Sequence, residues 1–261
     1  MHAPLNLNRQ GAVVHVRMQR GDVHNAFDAN LIAELTQTFT DLDADPTVRV
    51  VVLEAEGASF SAGADLNWMR GMAAMSEEEN RVDSLALARL MRSLNELSKP
   101  VIARVQGSAF GGGVGLVACC DIAIGSSGAK FGLTESKLGL LPAVISPYVV
   151  EAIGARQARR YFATAEIFDA TRALQMGLLH EVVEPDALDE AVARMVKTLL
   201  KAAPLAAGHA KTLVRDVLAD ANAQAQDERN AALIAALRVS PEGQEGLAAF
   251  LEKRTPNWID A

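Results

Sequence analysis

Cysteine is scarce in this chain, and an excess of positive charge is missing. The two cysteines, Cys119 and Cys120, are adjacent, which gives neither a disulfide framework nor a spaced set of metal ligands. Inside an apolar stretch they read as small core residues. There are 25 Lys and Arg against 32 Asp and Glu, a net charge of −7, whereas a nucleic-acid binder needs a basic face to neutralise phosphates. No apolar run approaches the ~18 residues that cross a bilayer, and the opening MHAPLNLNRQ lacks the apolar centre of a secretory signal. These absences predict a cytoplasmic protein with no metal and no nucleic-acid or membrane partner. What is present is 50% hydrophobic over 261 residues, ample for a large buried core.

The pattern alternates. AVVHVRM (12–18) and VRVVVLEA (48–55) read as strands, the second rich enough in valine to be covered on both faces. Between them, residues 28–43 place apolar side chains at helical spacing behind an Asp28 cap. A loop follows residue 55, then a helix from about Ser76 to Leu97. Extended segments return at 99–107 and 121–126, and beyond residue 185 the periodicity is helical almost to the end. An α/β core over 1–195 followed by a helical region over 196–261 is the predicted organisation.

Four of the five positions from Gly111 to Gly115 are glycine, at the start of a helical stretch. Glycine disfavours helix by ~1 kcal/mol relative to alanine, so the cluster calls for a turn or for close approach to the backbone. The stretch has an echo: Gly57, Phe60 and Gly63 in EGASFSAG match Gly107, Phe110 and Gly113 in QGSAFGGG at a constant offset of 50. Both follow valine-rich strands. Ligands of α/β folds gather beyond the carboxyl ends of strands, so two such loops can bring two sets of free N–H groups together as an anion site.

SFSAGADLNWM (59–69), KPVIARVQGSAFGGGVGLVACCDIAI (99–124), FGLTESKLGLLP (131–142) and GLAAFLEKRTP (246–256) occur in order, preceded by RGDVHNAF (20–27). The chain resembles the crotonase (enoyl-CoA hydratase/isomerase) superfamily over most of its length. The resemblance implies a spiral of repeated β-β-α turns with a C-terminal helical trimerisation region, in homotrimers or homohexamers. It also implies an acyl-CoA thioester as substrate, with no cofactor beyond the CoA moiety. Two backbone N–H groups of the family hold the thioester oxygen, and the matching positions are Ala64 and Gly112.

The resemblance further implies two glutamates in the family's hydratases. The second is present as Glu135, whereas the first falls on Gly115, which can neither give nor take a proton. Three consequences stay open: a one-carboxyl Δ3,Δ2-enoyl-CoA isomerase, a hydratase whose water is held by another group such as a substrate carboxylate, or a non-catalytic acyl-CoA-binding subunit. Asp65 and Asp121 read as structural, bracing a loop and orienting a strand. SAGADLNWM, GGGVGLVACCD and the stiff PAVISPYVV together resemble bacterial methylglutaconyl-CoA hydratases of leucine degradation. That likeness favours a hydro-lyase adding water to 3-methylglutaconyl-CoA, with Arg70 a candidate partner for the distal carboxylate.

For the CoA moiety, the resemblance carries over Asp22, Val23 and His24 beside the pantetheine. It sets the loop Ser61, Ala62, Gly63, Ala64 and Asp65, with Leu66 after it, around the adenine. Phe250 and Lys253 correspond to contacts given by a neighbouring subunit, Phe250 at the adenosine end and Lys253 toward phosphate, where lysine acts as a point charge.

Overall fold

The computed structural model describes residues 3–219 and 222–259. The chain opens with an antiparallel pair, β1 (Leu5–Gln10) and β2 (Val13–Met18), followed by α1 (Ala29–Ala44). Three similar turns come next. The first is β3 (Val50–Ala55), β4 (Ser59–Ser61), α2 (Leu66–Ala73) and α3 (Glu77–Asn95). The second is β5 (Val101–Val105), β6 (Ser108–Phe110) and α4 (Gly112–Cys119). The third is β7 (Ile122–Ser126), β8 (Lys130–Gly132) and α5 (Ser146–Thr164). Then follow β9 (Ile167–Asp169), α6 (Ala170–Met176), β10 (Glu181–Val183), α7 (Leu188–Leu199), α8 (Pro204–Ala219), α9 (Ala223–Val239) and α10 (Pro241–Glu252).

Each turn gives its first strand to one sheet and its second to another. The six-stranded sheet runs β1-β2-β3-β5-β7-β10 and the four-stranded sheet β4-β6-β8-β9. The β3, β5 and β7 ladder is parallel, as is the β4, β6 and β8 ladder. This is the expected spiral of β-β-α turns.

Strand period decides which side each valine faces. Val14, Val16, Met18, Val51, Leu53, Val101, Ala103 and Val105 join α1, α3, α4 and α5 in the main core. Their neighbours Val13, Val50, Val52, Ile102 and Ile124 pack with Leu188, Ala191 and Val192 of α7 on the other side. All six residues of β3 are buried, which is the two-sided cover that its valine run predicted.

Two helix starts follow from side-chain capping. Asp28 accepts from the Leu31 N–H at 2.8 Å, as expected. Ser76 and Glu79 form a reciprocal capping box at the start of α3. The reading of 56–75 as one loop misses β4 and α2, both too short for periodicity to register. It also misses β1, a mostly exposed strand on the sheet edge.

α7 runs through the 195/196 division, so helices that leave the core begin with α8. Among the described residues of α8 and α9 none is buried. The helical region is tied down at a few points: Lys211 of α8 pairs with Asp121 at 3.0 Å, and the Arg49 guanidinium donates to the carbonyls of Leu200, Ala202 and Trp258. No described helix is long and apolar enough to cross a membrane.

Candidate active site

The echo at offset 50 turns out to be contact. β4 and β6 lie side by side, Ser59 opposite Ser108 and Ser61 opposite Ala109, so the loops that follow them touch. A side chain on Gly63 would begin 3.0 Å from the Phe110 carbonyl oxygen, and one on Gly111 would begin 4.0 Å from Gly63 Cα. Both glycines also have positive φ, +84° and +50°, a conformation that a Cβ makes costly.

Phe27 joins the two loops. Its N–H donates to the Gly63 carbonyl at 2.7 Å and its carbonyl accepts from Asp65 N–H at 2.8 Å, a parallel bridge centred on Ala64. In such a bridge the central residue's own N–H points to the opposite side, so that of Ala64 faces away from Phe27. The Phe27 ring reaches the other loop, where a methyl group on Gly112 would stand 2.8 Å from Cε2. Gly112 is the first residue of α4, so its N–H has no acceptor within the helix. Phe27, which sequence reasoning passed over, thus backs both candidate oxyanion positions.

A buried amide fixes the preceding segment. Asn25, fully buried, donates to the carbonyls of Glu56 and Ser59 and accepts from the Arg20 N–H. Arg20 Nη1 donates to the Ala26 carbonyl at 2.6 Å, and its guanidinium pairs with Asp28 at 2.8 Å and Asp65 at 3.7 Å. Those two aspartates are the N-caps of α1 and α2, so one arginine orients both helix starts. Asp65 therefore braces its loop, as expected. Asp121 accepts from the Val101 N–H at 2.7 Å and fixes the start of β5. Both cysteines are free and buried, and burial pushes both thiols up, as suits core residues.

Glu135 opens a short 3-10 turn, Glu135–Leu138, closed by Gly139 in the left-handed region. Its carboxyl lies against the glycine loop, with Oε1 3.0 Å from where a Gly111 side chain would begin. Oε2 is buried and has no hydrogen-bond partner. Burial pushes the Glu135 carboxyl above its ordinary pKa. A carboxyl so placed, against the glycine loop with one buried oxygen unpartnered, is equipped to move a proton.

The remaining positions divide by accessibility. Asp22, Val23 and His24 occupy a 3-10 turn and its left-handed cap, with Asp22 and His24 exposed. Ser61 and Gly63 are buried, and Ser61 Oγ donates to the Asn25 carbonyl. They shape their loop, while Ala62, Ala64, Asp65 and Leu66 supply its accessible surface. Arg70 is exposed and donates to Asn67 at 2.8 Å. Phe250 is 82% exposed on α10 and Lys253 is the exposed cap of that helix. A cleft of about 600 Å³ lies elsewhere, on the α7 side of the six-stranded sheet, lined by His15, Arg17, Glu54, Arg104 and Asp189. Its charges largely pair among themselves, Arg17 with Glu54 and Arg104 with Asp189, each at 2.6 Å.

Known proteins share this fold. A family model described as Enoyl-CoA hydratase/isomerase matches residues 8–261. A crotonyl-CoA hydratase of Syntrophomonas wolfei is 30% identical over 97% of this chain and 96% of its own length. The crystal structure of an enoyl-CoA hydratase from Shewanella pealeana superposes with a TM-score of 0.94 at 45% identity, over 98% of this chain and 96% of that one. An enoyl-CoA hydratase/isomerase from Marinobacter aquaeolei gives a TM-score of 0.91 at 37% identity, over 98% and 99%. Likeness of this extent, across nearly the entire chain, makes the protein an enzyme of the enoyl-CoA hydratase/isomerase family.

Proposed function

We propose that the protein is a hydro-lyase that adds water across the double bond of a 2-enoyl-CoA, with 3-methylglutaconyl-CoA as its substrate. The observation that carries this reading is the Glu135 carboxyl, held against the Gly111 backbone with Oε2 buried and unpartnered. Attack of water on such a thioester drives negative charge onto the carbonyl oxygen. The Ala64 and Gly112 N–H groups stabilise it, Gly112 with the added help of the α4 N-terminus. Glu135 takes the proton from water and delivers it to the α-carbon.

The CoA moiety lies along Asp22, Val23 and His24 and against the 61–66 loop. Phe250 and Lys253 complete the site from a second copy of the chain, which accords with the exposure of Phe250 and Leu251, 82% and 77%. Sedimentation should return three or six times the 27.7 kDa subunit. A monomer at micromolar concentration would remove both residues from the site.

The substrate is tested by following the conjugated-thioester absorbance with crotonyl-CoA, 3-methylglutaconyl-CoA and a 3-enoyl-CoA. Loss of absorbance, fastest with 3-methylglutaconyl-CoA, is the expected result. Absorbance that grows from the 3-enoyl ester, with no loss from the 2-enoyl esters, would make the enzyme a Δ3,Δ2-isomerase. That second reading draws on one feature, the glycine at 115 where a second carboxylate would stand. Binding of all three esters without turnover would leave only an acyl-CoA-binding subunit.

A further inference from the structure

Gly115 is not an open position. Its N–H donates to the Gly111 carbonyl at 3.2 Å, so Gly111, the residue before α4, stands one turn back along the helix from Gly115. Against Gly111 lies the Glu135 carboxyl, 3.0 Å from where a side chain would begin. Against Gly115 lies Ile145: Cγ2 is 2.3 Å and Cβ 2.9 Å from the corresponding point, with Met91 Cε at 3.2 Å. Ile145 is only 2% exposed and sits at the cap of α5, where its carbonyl accepts from Val149 N–H. Its β-branch is anchored close to backbone and cannot swing aside as a long side chain could. The turn of α4 beside the carboxyl is therefore walled with hydrocarbon.

We propose that Ile145 is a specificity-determining residue: by filling the space at Gly115 it excludes a second protein carboxylate and restricts hydration to acyl groups that bring their own distal carboxylate to hold the water. The inference rests on the hydratase reading above. A plain short acyl chain offers nothing to hold a water molecule against an apolar wall, and water held there without partners is unfavourable.

The chemistry balances with one carboxyl. As the water oxygen bonds to C3 of the enoyl thioester, the Glu135 carboxylate takes one of its protons and the C2–C3 π pair moves through C1 onto the thioester oxygen. The carbonyl then re-forms, C2 takes the proton back from Glu135, and the carboxylate is regenerated. One water has been added without oxidant or second acid, and because one group handles the proton, H and OH enter on the same face.

The test compares kcat/KM for crotonyl-CoA and for 3-methylglutaconyl-CoA in two variants. Combining Gly115→Glu with Ile145→Ala clears the β-branch and supplies a carboxylate. The ratio should move toward crotonyl-CoA by about a hundredfold, the lower end of what a positioned acid–base group contributes. Ile145→Thr alone keeps the branched shape but offers a hydroxyl to a water, and should move the ratio the same way by less. An unchanged ratio in both variants, folded by circular dichroism, overturns the proposal; if the double variant does not fold, an unchanged ratio in Ile145→Thr does so alone. A wild-type protein that hydrates neither ester sinks the hydratase reading separately. In that case crotonyl-CoA hydration newly present in the double variant still supports the role of Ile145, and its absence overturns it.

Discussion

Replacing Glu135 with glutamine should lower turnover by a factor of about 10² to 10⁴, the range expected for loss of a positioned acid–base group, while CoA-ester binding stays nearly unchanged. Glutamine keeps the shape and the buried position but cannot carry the proton. The wild-type rate should rise with pH through a group titrating above the ordinary carboxylate range, because burial raises the Glu135 pKa and the carboxylate is the form that accepts a proton from water. The stability effect has the opposite sign. A folded-state pKa raised above the unfolded value gives stability that is present below the unfolded pKa and lost as pH rises through the folded pKa. Glu135→Gln should remove that loss, so at neutral pH the variant should melt no lower than the wild type. Near-normal rates in a folded Glu135→Gln variant would take Glu135 out of the mechanism.

The second large effect is expected at Gly112, and it needs a paired control. Proline is well tolerated at the first position of a helix because its missing N–H has no helical partner there. That same N–H is the proposed donor to the thioester oxygen. Any Cβ at 112, however, meets Phe27 Cε2 at 2.8 Å, so Gly112→Ala must be measured beside Gly112→Pro. Alanine imposes the contact and keeps the donor, whereas proline imposes it and deletes the donor. Between the two variants kcat should differ by about 10² to 10³, the ~2.7–4 kcal/mol typical of one oxyanion-hole donor. Equal rates in folded Gly112→Ala and Gly112→Pro would mean that the Gly112 N–H does not face the developing charge.

Some of this molecule was legible residue by residue. Periodicity located α1, behind its Asp28 cap, and α3 from about Ser76, because these signals are local in the chain. The valine run at 50–52 announced a strand buried on both faces, since only such a strand has no need to alternate. The resemblance carried by SAGAD, GGG and ESKLG singled out Ala64, Gly112 and Glu135. Of these, Glu135 stands against the glycine loop, and Ala64 and Gly112 both meet Phe27. β1, β4 and α2 were not legible: an exposed edge strand, a three-residue strand and an eight-residue helix leave too few residues for a pattern to form.

The chain by itself determined the repeated strand–glycine turn, the single glutamate in ESKLG and the absence of a carboxylate at 115, for these are matters of residue identity and spacing. Only the tertiary structure decided that the two glycine loops touch across paired strands, that Asn25 and Phe27 hold them, and that Gly115 is filled by Ile145. Each of these is a contact between segments far apart in the chain, and close packing, which leaves no room for even one extra methylene, is a property of the folded interior. The stretch AFGGGVG records that a side chain is missing, but the residue standing in its place caps another helix.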